Sequence, residues 1–450
     1  MRFSSYNVLS DKLPGGGYVL LNGLTGALDL IDQKFYDFIS KNSDSFDADD
    51  IGSDIINDYL DRGFITDQTV DEEIDFAKKM IAKIRSFSDS YHVVIVPNMN
   101  CNYRCVYCFE RDTQCFKSRD DYIMTKECVD AVFKFIEKNK TDKNITLFGG
   151  EPLNKNNLEI IDYIVNEKNR DGRYSFCAVT NGHDLETFIP YLGENKINYL
   201  QITVDGPKQI HDKRRIALSG ESSFDKVFSN IKRVLQVPKV EIDIRINVDN
   251  RNLPYLEELM EFIDSEDLFS NDYIHVYTSK VTGIESSFVD DMKIDMELIR
   301  LHEKYPKYMP CKEVDKIKSN FEVALLAGVP LKRSASFCGG LGKMLVFTPD
   351  CSIYTCWDYV GKENGKIGRY NLDGNVEWDK HSIKYFDSQR IENNATCIKC
   401  PYVMLCQSGC HYQAMSANLD YDPKQCKIYN TKFKKIMEQT VEEYLVQKMV

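Results

Sequence analysis

The stretch Val93-Val-Ile-Val-Pro-Asn-Met-Asn-Cys101-Asn-Tyr-Arg-Cys105-Val-Tyr107-Cys108 places three cysteines, spaced CxxxCxxC, directly after a short apolar run. The β-branched run predicts a buried strand, so the cysteines are expected in the loop at its carboxyl end. Barrels of parallel strands build their active sites at that end. An iron–sulfur cubane normally takes four thiolates, so three closely spaced cysteines leave one iron open to another ligand.

Size and composition limit the classes of protein that fit. A chain of 450 residues can form one large core with satellite domains. No run approaches the roughly 18 apolar residues that cross a bilayer, and residues 1–13 lack an apolar signal segment, which predicts a cytoplasmic protein without membrane partners. The net charge of −12 disfavours nucleic-acid partners. Fifteen cysteines in a reducing compartment indicate metal rather than disulfides.

Outward from the cysteine motif, short β-branched runs alternate with helical stretches, which is typical of parallel βα units. Six such units predict an α/β fold with a partial (β/α)6 barrel over residues 89–290. The predicted strands are His92–Val96, Ile145–Phe148, Ser175–Val179, Tyr199–Val204, Val240–Val248 and Tyr273–Tyr277.

Three further regions flank this barrel. Residues 1–88 lack cysteine and predict a small α+β domain of winged-helix type, with a hairpin around Gly15–Gly17 and Asn22–Gly23. Its predicted helices lie near Gln33–Ile39, Asp49–Asp61 and Val70–Arg85. Residues 291–337 predict a helical linker. Residues 338–450 form a cysteine-rich region that ends in a helix over Lys427–Met449.

The first motif, with Tyr107 just before its third cysteine, resembles the signature of the radical S-adenosylmethionine (SAM) superfamily. The resemblance implies that Cys101, Cys105 and Cys108 hold a [4Fe–4S] cluster whose open iron binds the amino and carboxylate groups of SAM. It also implies that an electron from the cluster breaks SAM to give a 5′-deoxyadenosyl radical. Tyr107 is expected near the adenine.

The following strands carry segments that resemble further parts of this family. Phe148-Gly149-Gly150-Glu151-Pro152 matches its GGEP motif, whose glycines let the backbone approach a ligand closely. The preceding carbonyls and Glu151 can receive the SAM ammonium. The other residues expected to contact SAM are Asn181, Thr203 at the ribose, Arg215 at the carboxylate and Asn247. For each of these polar residues, the alternative to a SAM contact is a structural role as a helix N-cap or turn former. His183 and His211 are expected to be loop residues rather than ligands.

Downstream cysteines follow a second pattern. Between Cys397 and Cys410 the spacing is CxxCxxxxxCxxxC, which indicates a metal-binding domain. Tetrahedral zinc is the alternative for both cysteine regions, with Cys115 or Cys128 as a fourth ligand at the first. Otherwise Cys115, Cys128 and Cys177 are expected to be ordinary buried thiols.

The second pattern resembles the SPASM domain, which holds two auxiliary [4Fe–4S] clusters. The resemblance implies one nearer cluster on Cys338, Cys356 and Cys410. It implies a farther cluster on Cys397, Cys400, Cys406 and Cys426. The chain departs from the family at Cys351, where glycine is usual, and at Lys332, where some members have another ligand. The fourth ligand of the nearer cluster is therefore Cys351, Cys311 or absent, which would leave an iron open to a substrate thiol.

The resembling enzymes mainly modify peptides, which implies a maturase that oxidatively modifies, by thioether crosslinking, a ribosomally made peptide. Residues 1–88 would bind its leader by strand addition, or alternatively cap the barrel. Asp358 is the candidate catalytic base. In sulfatase maturases an aspartate base directly follows the cysteine, whereas here Trp357 follows Cys356 and Asp358 comes one position later. A flavodoxin or ferredoxin would donate electrons. The alternatives are a formylglycine-forming sulfatase maturase and a radical enzyme that modifies tRNA or nucleotides.

Overall fold

The computed structural model describes residues 1–47, 50, 53–87, 90–110, 123–281, 291–309, 312–341 and 343–449. The chain divides into two compact units. The first comprises Met1–Asp89, Glu313–Leu341 and Lys384–Val450, and the second comprises Ser90–Lys312 and Gly342–Ile383.

A large parallel sheet forms the centre of the second unit. Its six main strands lie where the sequence predicts them, and neighbours in the sheet follow chain order. They are His92–Ile95, Asn144–Leu147, Ser175–Thr180, Ile197–Thr203, Glu241–Val248 and Ile274–Lys280, here called the first to sixth strands. Their apolar residues are almost fully buried, as expected for a parallel sheet covered on its faces. The mixed α/β class with a large parallel sheet is confirmed.

Two short strands that the sequence analysis did not predict extend this sheet. Tyr308–Met309 pairs in parallel with the sixth strand, and Met344–Phe347 pairs in parallel with the first, with Val346 opposite Val94. Three antiparallel strands follow beyond Met344–Phe347, namely Ser352–Tyr354, Lys366–Tyr370 and Val376–Trp378. Part of the cysteine-rich region therefore continues the parallel sheet.

Helices follow the strands of the second unit, and two of them begin at a side-chain cap. The Thr125 hydroxyl accepts a hydrogen bond from the Cys128 N–H, and the Ser222 hydroxyl accepts one from Asp225. The helix Ser223–Val234 buries Val227, Ile231 and Val234, an apolar stripe at helical spacing. The helices wholly within this unit are Lys126–Lys138, Leu158–Asp162, Leu185–Phe188, Lys208–Arg214, Ser223–Val234, Leu256–Ser265 and Asp291–Lys304, with a π-helical turn at Tyr163–Glu167. A further helix, Lys380–Ser388, begins in this unit and ends in the first.

The first unit begins with the predicted hairpin, extended to three antiparallel strands in the order Asn7–Leu9, Tyr18–Asn22 and Leu28–Ile31. Its next helices are Gln33–Lys41, Ser53–Arg62 and Val70–Phe87. A two-residue ladder joins Arg2–Phe3 to Ile65–Thr66. An aromatic core with Phe3, Phe46 and Phe64 packs these elements together.

Helices from the later chain complete the first unit. They are Lys312–Ala327, Val403–Cys406, His411–Ser416, Pro423–Thr431 and Phe433–Met449. The prediction of one helix over Lys427–Met449 is wrong. Two helices meet at Lys432, and the earlier one begins at Pro423 because the Asp422 carboxylate caps the N–H groups of Lys424 and Gln425. No helix in the described part of the chain is long and apolar enough to cross a bilayer.

Candidate active site

Polar segments of the second unit gather at the carboxyl ends of its parallel strands. Cys101 follows the first strand, Gly149 the second and Asn181 the third. Asp205 follows the fourth strand, and Asn247 lies near the end of the fifth. Because these ends share one edge of the sheet, residues that are far apart in sequence meet there.

The cysteine loop is held against the GGEP segment. The Gly150 N–H donates to the Asn98 carbonyl at 3.2 Å, and the Glu151 N–H donates to the Asn100 carbonyl at 3.0 Å. A Cβ at Gly150 would lie 2.4 Å from the Asn100 oxygen, and one at Gly149, where φ is +133°, would lie 2.5 Å from the Asn98 oxygen. Only glycine fits this close approach.

The same loop is tied to the segment after the fourth strand. Tyr103–Cys105 forms an antiparallel ladder with Arg215–Ala217, in which Cys105 is opposite Arg215. The Val106 N–H donates to the Arg214 carbonyl at 3.0 Å. Arg215 is 7% exposed and therefore lies inside the site.

The three thiols of the loop share one electrostatic environment. Burial raises the pKa of Cys101, and negative charge on Cys105 and Glu151 raises it further. Burial also raises the pKa of Cys105, although the Arg215 cation opposes this. Burial raises the pKa of Cys108 to about 12, with Glu110 and Cys105 adding to the effect. Thiols that are costly to ionise together suit a site where a cationic metal cluster stabilises the thiolates.

Tyr107 is the centre of a hydrogen-bond network that joins the loop to the fourth and fifth strands. Its hydroxyl donates to the Asp205 carboxylate. It accepts hydrogen bonds from Arg215 Nη1 at 2.8 Å and from Asn247 Nδ2 at 3.1 Å. Three of the residues expected at the cofactor, Tyr107, Arg215 and Asn247, are therefore brought together.

Asp205 and Arg214 are site residues that the sequence analysis missed. Asp205 is fully buried and accepts a hydrogen bond from the Asn247 N–H at 3.2 Å. Arg214 lies with its guanidinium carbon 5.0 Å from the Tyr107 ring centre, and its Nη1 donates to both carboxylate oxygens of Asp249 at 3.0 Å. The sequence could have indicated Asp205 as a site residue, because it is the first charged residue after the fourth strand.

Glu151 organises the end of the third strand. Its carboxylate accepts hydrogen bonds from the Thr180 hydroxyl at 2.6 Å, the Asn181 N–H at 2.6 Å and the Leu153 N–H at 2.9 Å. Burial nevertheless raises its pKa to about 7. The Asn181 amide donates to Asn102 Oδ1 at 2.7 Å and lies 3.9 Å from the Cys101 sulfur, so Asn181 reaches the cysteine loop.

The remaining predicted contacts lie around this centre. Thr203 ends the fourth strand and is largely buried. The Pro152 carbonyl accepts a hydrogen bond from the buried Asn157 amide at 3.0 Å. His183 is buried with Nδ1 3.1 Å from the Tyr103 hydroxyl, and His211 is buried with Nδ1 accepting from the Asp205 N–H at 3.3 Å. His183 lies in a turn, as predicted, whereas His211 lies on the helix Lys208–Arg214, so the prediction that His211 is a loop residue is wrong.

Asp358 lies on the same unit, in a turn after Ser352–Tyr354. Its Oδ2 is 3.6 Å from the Cys356 sulfur, and burial raises the pKa of the carboxyl while Lys362 and Arg245 oppose the shift. Trp357 stacks on Phe148, with ring centres 5.1 Å apart. Arg245 was not predicted as a site residue. It lies two positions before Asn247 on the fifth strand, so strand alternation places both side chains on the same face, and Arg245 Nε donates to Asn247 Oδ1.

Four cysteines of the first unit form a second electrostatic group. Burial raises the pKa of Cys397 to about 12, with Cys400 and Cys426 adding to the shift. Burial also raises the pKa of Cys406, and the other three thiols raise it further. The structure thus brings together Cys397, Cys400, Cys406 and Cys426, the four residues predicted for the farther cluster.

The cysteines predicted for the nearer cluster are divided between the units. Cys338 and Cys410 belong to the first and Cys356 to the second, so their shared ligation stays a prediction. The Cys410 N–H donates to the Asp422 carboxylate at 3.2 Å, and Asp422 caps the helix that carries Cys426. Cys115 and Cys311 lie outside the described residues.

Two other features of the described residues bear on the site. They contain no group of three or more His, Cys, Asp or Glu side chains placed to hold a metal ion. In each of the two cysteine regions, however, negative charge on one cysteine raises the pKa of a neighbouring thiol. A cavity of about 650 Å³, lined in part by Asn144, Tyr199 and Glu241, lies at the amino ends of the strands. It is therefore on the edge of the sheet away from the cysteine loop.

Comparison with known proteins bears on residues around this site. A family model described as the radical SAM superfamily matches residues 95–263. The chain is 24% identical over 418 residues to the radical SAM cyclopropyl synthase TigE of Paramaledivibacter caminithermalis, covering 86% of this chain and 83% of that protein. It is 27% identical over 339 residues to a cysteine-type anaerobic sulfatase-maturating enzyme of Clostridium novyi, covering 71% and 88%.

A solved structure shares the fold over nearly the whole chain. It is Streptococcus suis SuiB bound to the precursor peptide SuiA, with a TM-score of 0.51 and 13% identity. The match covers 95% of this chain and 99% of that one.

Proposed function

The chain belongs to the radical SAM superfamily, and from this premise we propose that it is a peptide maturase that oxidatively modifies a ribosomally made peptide, with thioether crosslinking as the reaction. The observation that carries the proposal is the loop of Cys101, Cys105 and Cys108, held at the carboxyl edge of a parallel sheet beside Arg215 and Glu151. Radical enzymes of this superfamily use SAM and a [4Fe–4S] cluster.

The three loop cysteines fit such a cluster. The three thiols are half-buried, and negative charge on Cys105 raises the pKa of both Cys101 and Cys108, so a cationic group bound here would stabilise the thiolates. In this proposal Cys101, Cys105 and Cys108 would hold the cluster, and its remaining position would be available to SAM. When bound, the cluster and SAM together supply the 5′-deoxyadenosyl radical that removes hydrogen from the substrate.

The surrounding side chains orient the cofactor. We assign Arg215 to the SAM carboxylate, since a buried guanidinium can form two parallel hydrogen bonds to it. Glu151, Gly149, Gly150 and Pro152 are assigned to the ammonium side. The adenosyl part is assigned to Tyr107, Asn181, Thr203 and Asn247. Tyr107 is held by three polar partners, so its ring is fixed before a ligand arrives.

Asp358 is proposed as the base that takes a proton from the substrate when the new bond closes. It is half-buried, beside Cys356 and within the electrostatic reach of Arg245 from the fifth strand. A desolvated carboxylate binds a proton more strongly than an exposed one, which suits it to this role. Asp358 differs in position from the expected base of sulfatase maturases, because Trp357 directly follows Cys356.

Two auxiliary [4Fe–4S] clusters complete the proposed set of three. Cys397, Cys400, Cys406 and Cys426 fit the farther one, because each of the three thiols with a shifted pKa is influenced by at least one other member. Cys338, Cys356 and Cys410 are proposed for the nearer one. A SPASM-type arrangement of this kind would pass electrons onward to an acceptor, and a flavodoxin or ferredoxin would supply the first electron.

Residues 1–88 are proposed to bind the leader of the substrate peptide. The sheet of Asn7–Leu9, Tyr18–Asn22 and Leu28–Ile31 has Leu28–Ile31 as an edge strand, followed by three helices of a winged-helix-like arrangement. An extended peptide can add to such an edge through backbone hydrogen bonds. The similarity to SuiB, solved with a precursor peptide, supports a peptide substrate. The alternative is that this region only covers the partial barrel.

Formylglycine formation on a sulfatase is the second candidate, supported by the 27% identity to the Clostridium novyi enzyme. The two products differ chemically. A thioether crosslink makes the peptide lighter by two hydrogen atoms, whereas formylglycine carries an aldehyde that hydrazide reagents label. Reaction with a precursor peptide and with a sulfatase peptide, followed by mass spectrometry, separates the two functions.

The auxiliary cysteines can be tested because the proposal gives SAM cleavage to the first cluster and completion of the peptide product to the auxiliary clusters. A Cys400→Ala chain should lose about four irons and still cleave SAM, yet give no modified peptide. Cys177→Ala is the matched control, because Cys177 is a half-buried thiol bonded to Asn144 on another part of the chain. If the Cys400 variant yields product at the control rate, the proposed role of the farther cluster is wrong.

A further inference from the structure

A pair of thiols outside the predicted clusters lies between a helix and a hairpin of the second unit. Cys128 is on the helix Lys126–Lys138, and Cys351 is in the turn between Met344–Phe347 and Ser352–Tyr354. Their sulfur atoms are 4.0 Å apart. Cys128 is buried and Cys351 is half-buried, so one thiol of the pair is accessible from solvent.

The backbone at Cys351 is unusual for a cysteine. Its φ is +62°, in the left-handed region that costs a residue with a side chain roughly 1–2 kcal/mol relative to glycine. The rest of the turn is well bonded, since the Thr348 hydroxyl donates to Asp350 at 2.6 Å and the Ser352 hydroxyl donates to it at 2.8 Å. Glycine would therefore suit this position better unless the sulfur itself has a use.

The surroundings keep the two sulfurs together. The Tyr370 hydroxyl donates to the Thr348 carbonyl at 2.8 Å, and the Cys128 sulfur lies 4.0 Å from the Pro349 carbonyl. A disulfide has a sulfur–sulfur distance of about 2.0 Å, so the two atoms need to approach by roughly 2 Å. Side-chain rotation at either residue supplies a movement of this size.

We propose that Cys128 and Cys351 form a redox-active dithiol site that takes low-molecular-weight disulfides as its oxidant. Burial and the neighbouring Cys128 raise the pKa of Cys351 to about 11, so the small fraction present as thiolate attacks the oxidant, forms a mixed disulfide and releases one small thiol. The Cys128 thiolate then displaces the second small thiol, and the two protein protons end on the two released thiols. Two electrons pass from the protein to the oxidant, and one protein disulfide replaces two protein thiols.

This bond connects elements that position the active site. Met344–Phe347 pairs with the first strand, which leads directly into the loop of Cys101. The helix Lys126–Lys138 precedes the second strand, which carries the GGEP segment. Oxidation of the pair therefore ties the turn of the hairpin to the helix Lys126–Lys138. In this proposal Cys351 is the redox partner of Cys128 and not a ligand of the nearer auxiliary cluster.

The test uses the iron-loaded full chain, prepared without oxygen and exposed to glutathione disulfide. After acid quenching, alkylation and digestion, mass spectrometry should find a Cys128–Cys351 crosslinked peptide that dithiothreitol removes. Cys351→Gly should abolish this peptide and keep the full iron content, because glycine accepts the left-handed backbone. Cys177→Ala should keep the crosslink.

Two results overturn the proposal. One is alkylation of both Cys128 and Cys351 after exposure, with no crosslinked peptide. The other is loss of iron in Cys351→Gly, which would make Cys351 a cluster ligand. Neither measurement involves SAM or a peptide substrate, so this proposal can fail while the proposed function stands, and the reverse also holds.

Discussion

Cys105 lies directly opposite Arg215 in a two-stranded antiparallel ladder. The middle cysteine of the loop and the arginine after the fourth strand are thus fixed in one register, although 110 positions separate them in sequence. Arg215 also donates to the Tyr107 hydroxyl at 2.8 Å. The ladder therefore fixes the Arg215 guanidinium next to the loop that carries the three thiols.

Arg215→Lys is predicted to weaken SAM binding while keeping the positive charge. A lysine cannot form two parallel bonds to a carboxylate, and loss of a charge-assisted hydrogen bond of about 1.5–3 kcal/mol raises the Kd roughly 10- to 100-fold. Equilibrium binding of SAM to the iron-loaded protein measures this. Arg173→Lys, at an exposed arginine paired with Asp171, should leave the Kd unchanged. Equal Kd values for the two variants would remove Arg215 from the SAM site.

Gly150→Ala is predicted to displace the cysteine loop and lower the iron content by about four atoms per chain. The new methyl group would lie 2.4 Å from the Asn100 oxygen, a backbone atom that cannot move without moving Cys101. Gly220→Ala is the control, because φ there is +77° but nothing lies within 4 Å of the added Cβ. Normal iron content in Gly150→Ala would show that the GGEP segment does not support the loop.

The pKa of Glu151 predicts how its contribution to stability depends on pH. Burial raises this pKa from 4.5 to about 7, so below pH 4.5 both folded and unfolded chains hold the proton. Between pH 4.5 and 7 the unfolded chain releases it first, and the folded state loses stability as pH rises. Glu151→Gln removes this effect, so its thermal unfolding midpoint, measured without SAM, should rise relative to wild type between pH 5 and 8.

Glu257→Gln is the control for this pH dependence. Hydrogen bonds from Arg300 and Lys304 lower the pKa of Glu257 to about 2, so its charge is constant from pH 5 to 8. Its midpoint should keep a constant offset from wild type over this range. A constant offset for Glu151→Gln as well would mean that Glu151 is ionised throughout and that burial does not dominate its pKa.

Local patterns predicted much of the fold and part of the site. The six strands, the hairpin near Gly15 and the three early helices follow from hydrophobic periodicity, which depends on neighbours in sequence. The cysteine loop and the GGEP segment were predicted because each occupies a few consecutive residues. Their contact with each other through the Asn98 and Asn100 carbonyls was not predicted, because the glycines were expected to approach a ligand.

Long-range pairings were not predictable in the same way. Met344–Phe347 joins the sheet beside a strand about 250 residues earlier, and four apolar residues alone do not identify a partner. The network of Asp205, Arg214 and Asn252 depends on which strand ends meet, which no local pattern encodes. The approach of Cys128 to Cys351 likewise follows from the placement of the hairpin against the helix.

Formation of 5′-deoxyadenosine from SAM tests the central claim most directly. The iron-loaded protein, incubated without oxygen with SAM and dithionite, should release 5′-deoxyadenosine, and Cys101→Ala should release none. Release by the wild-type chain but not by the variant is the predicted result. A wild-type protein that binds zinc at Cys101, Cys105 and Cys108 and leaves SAM intact would contradict it.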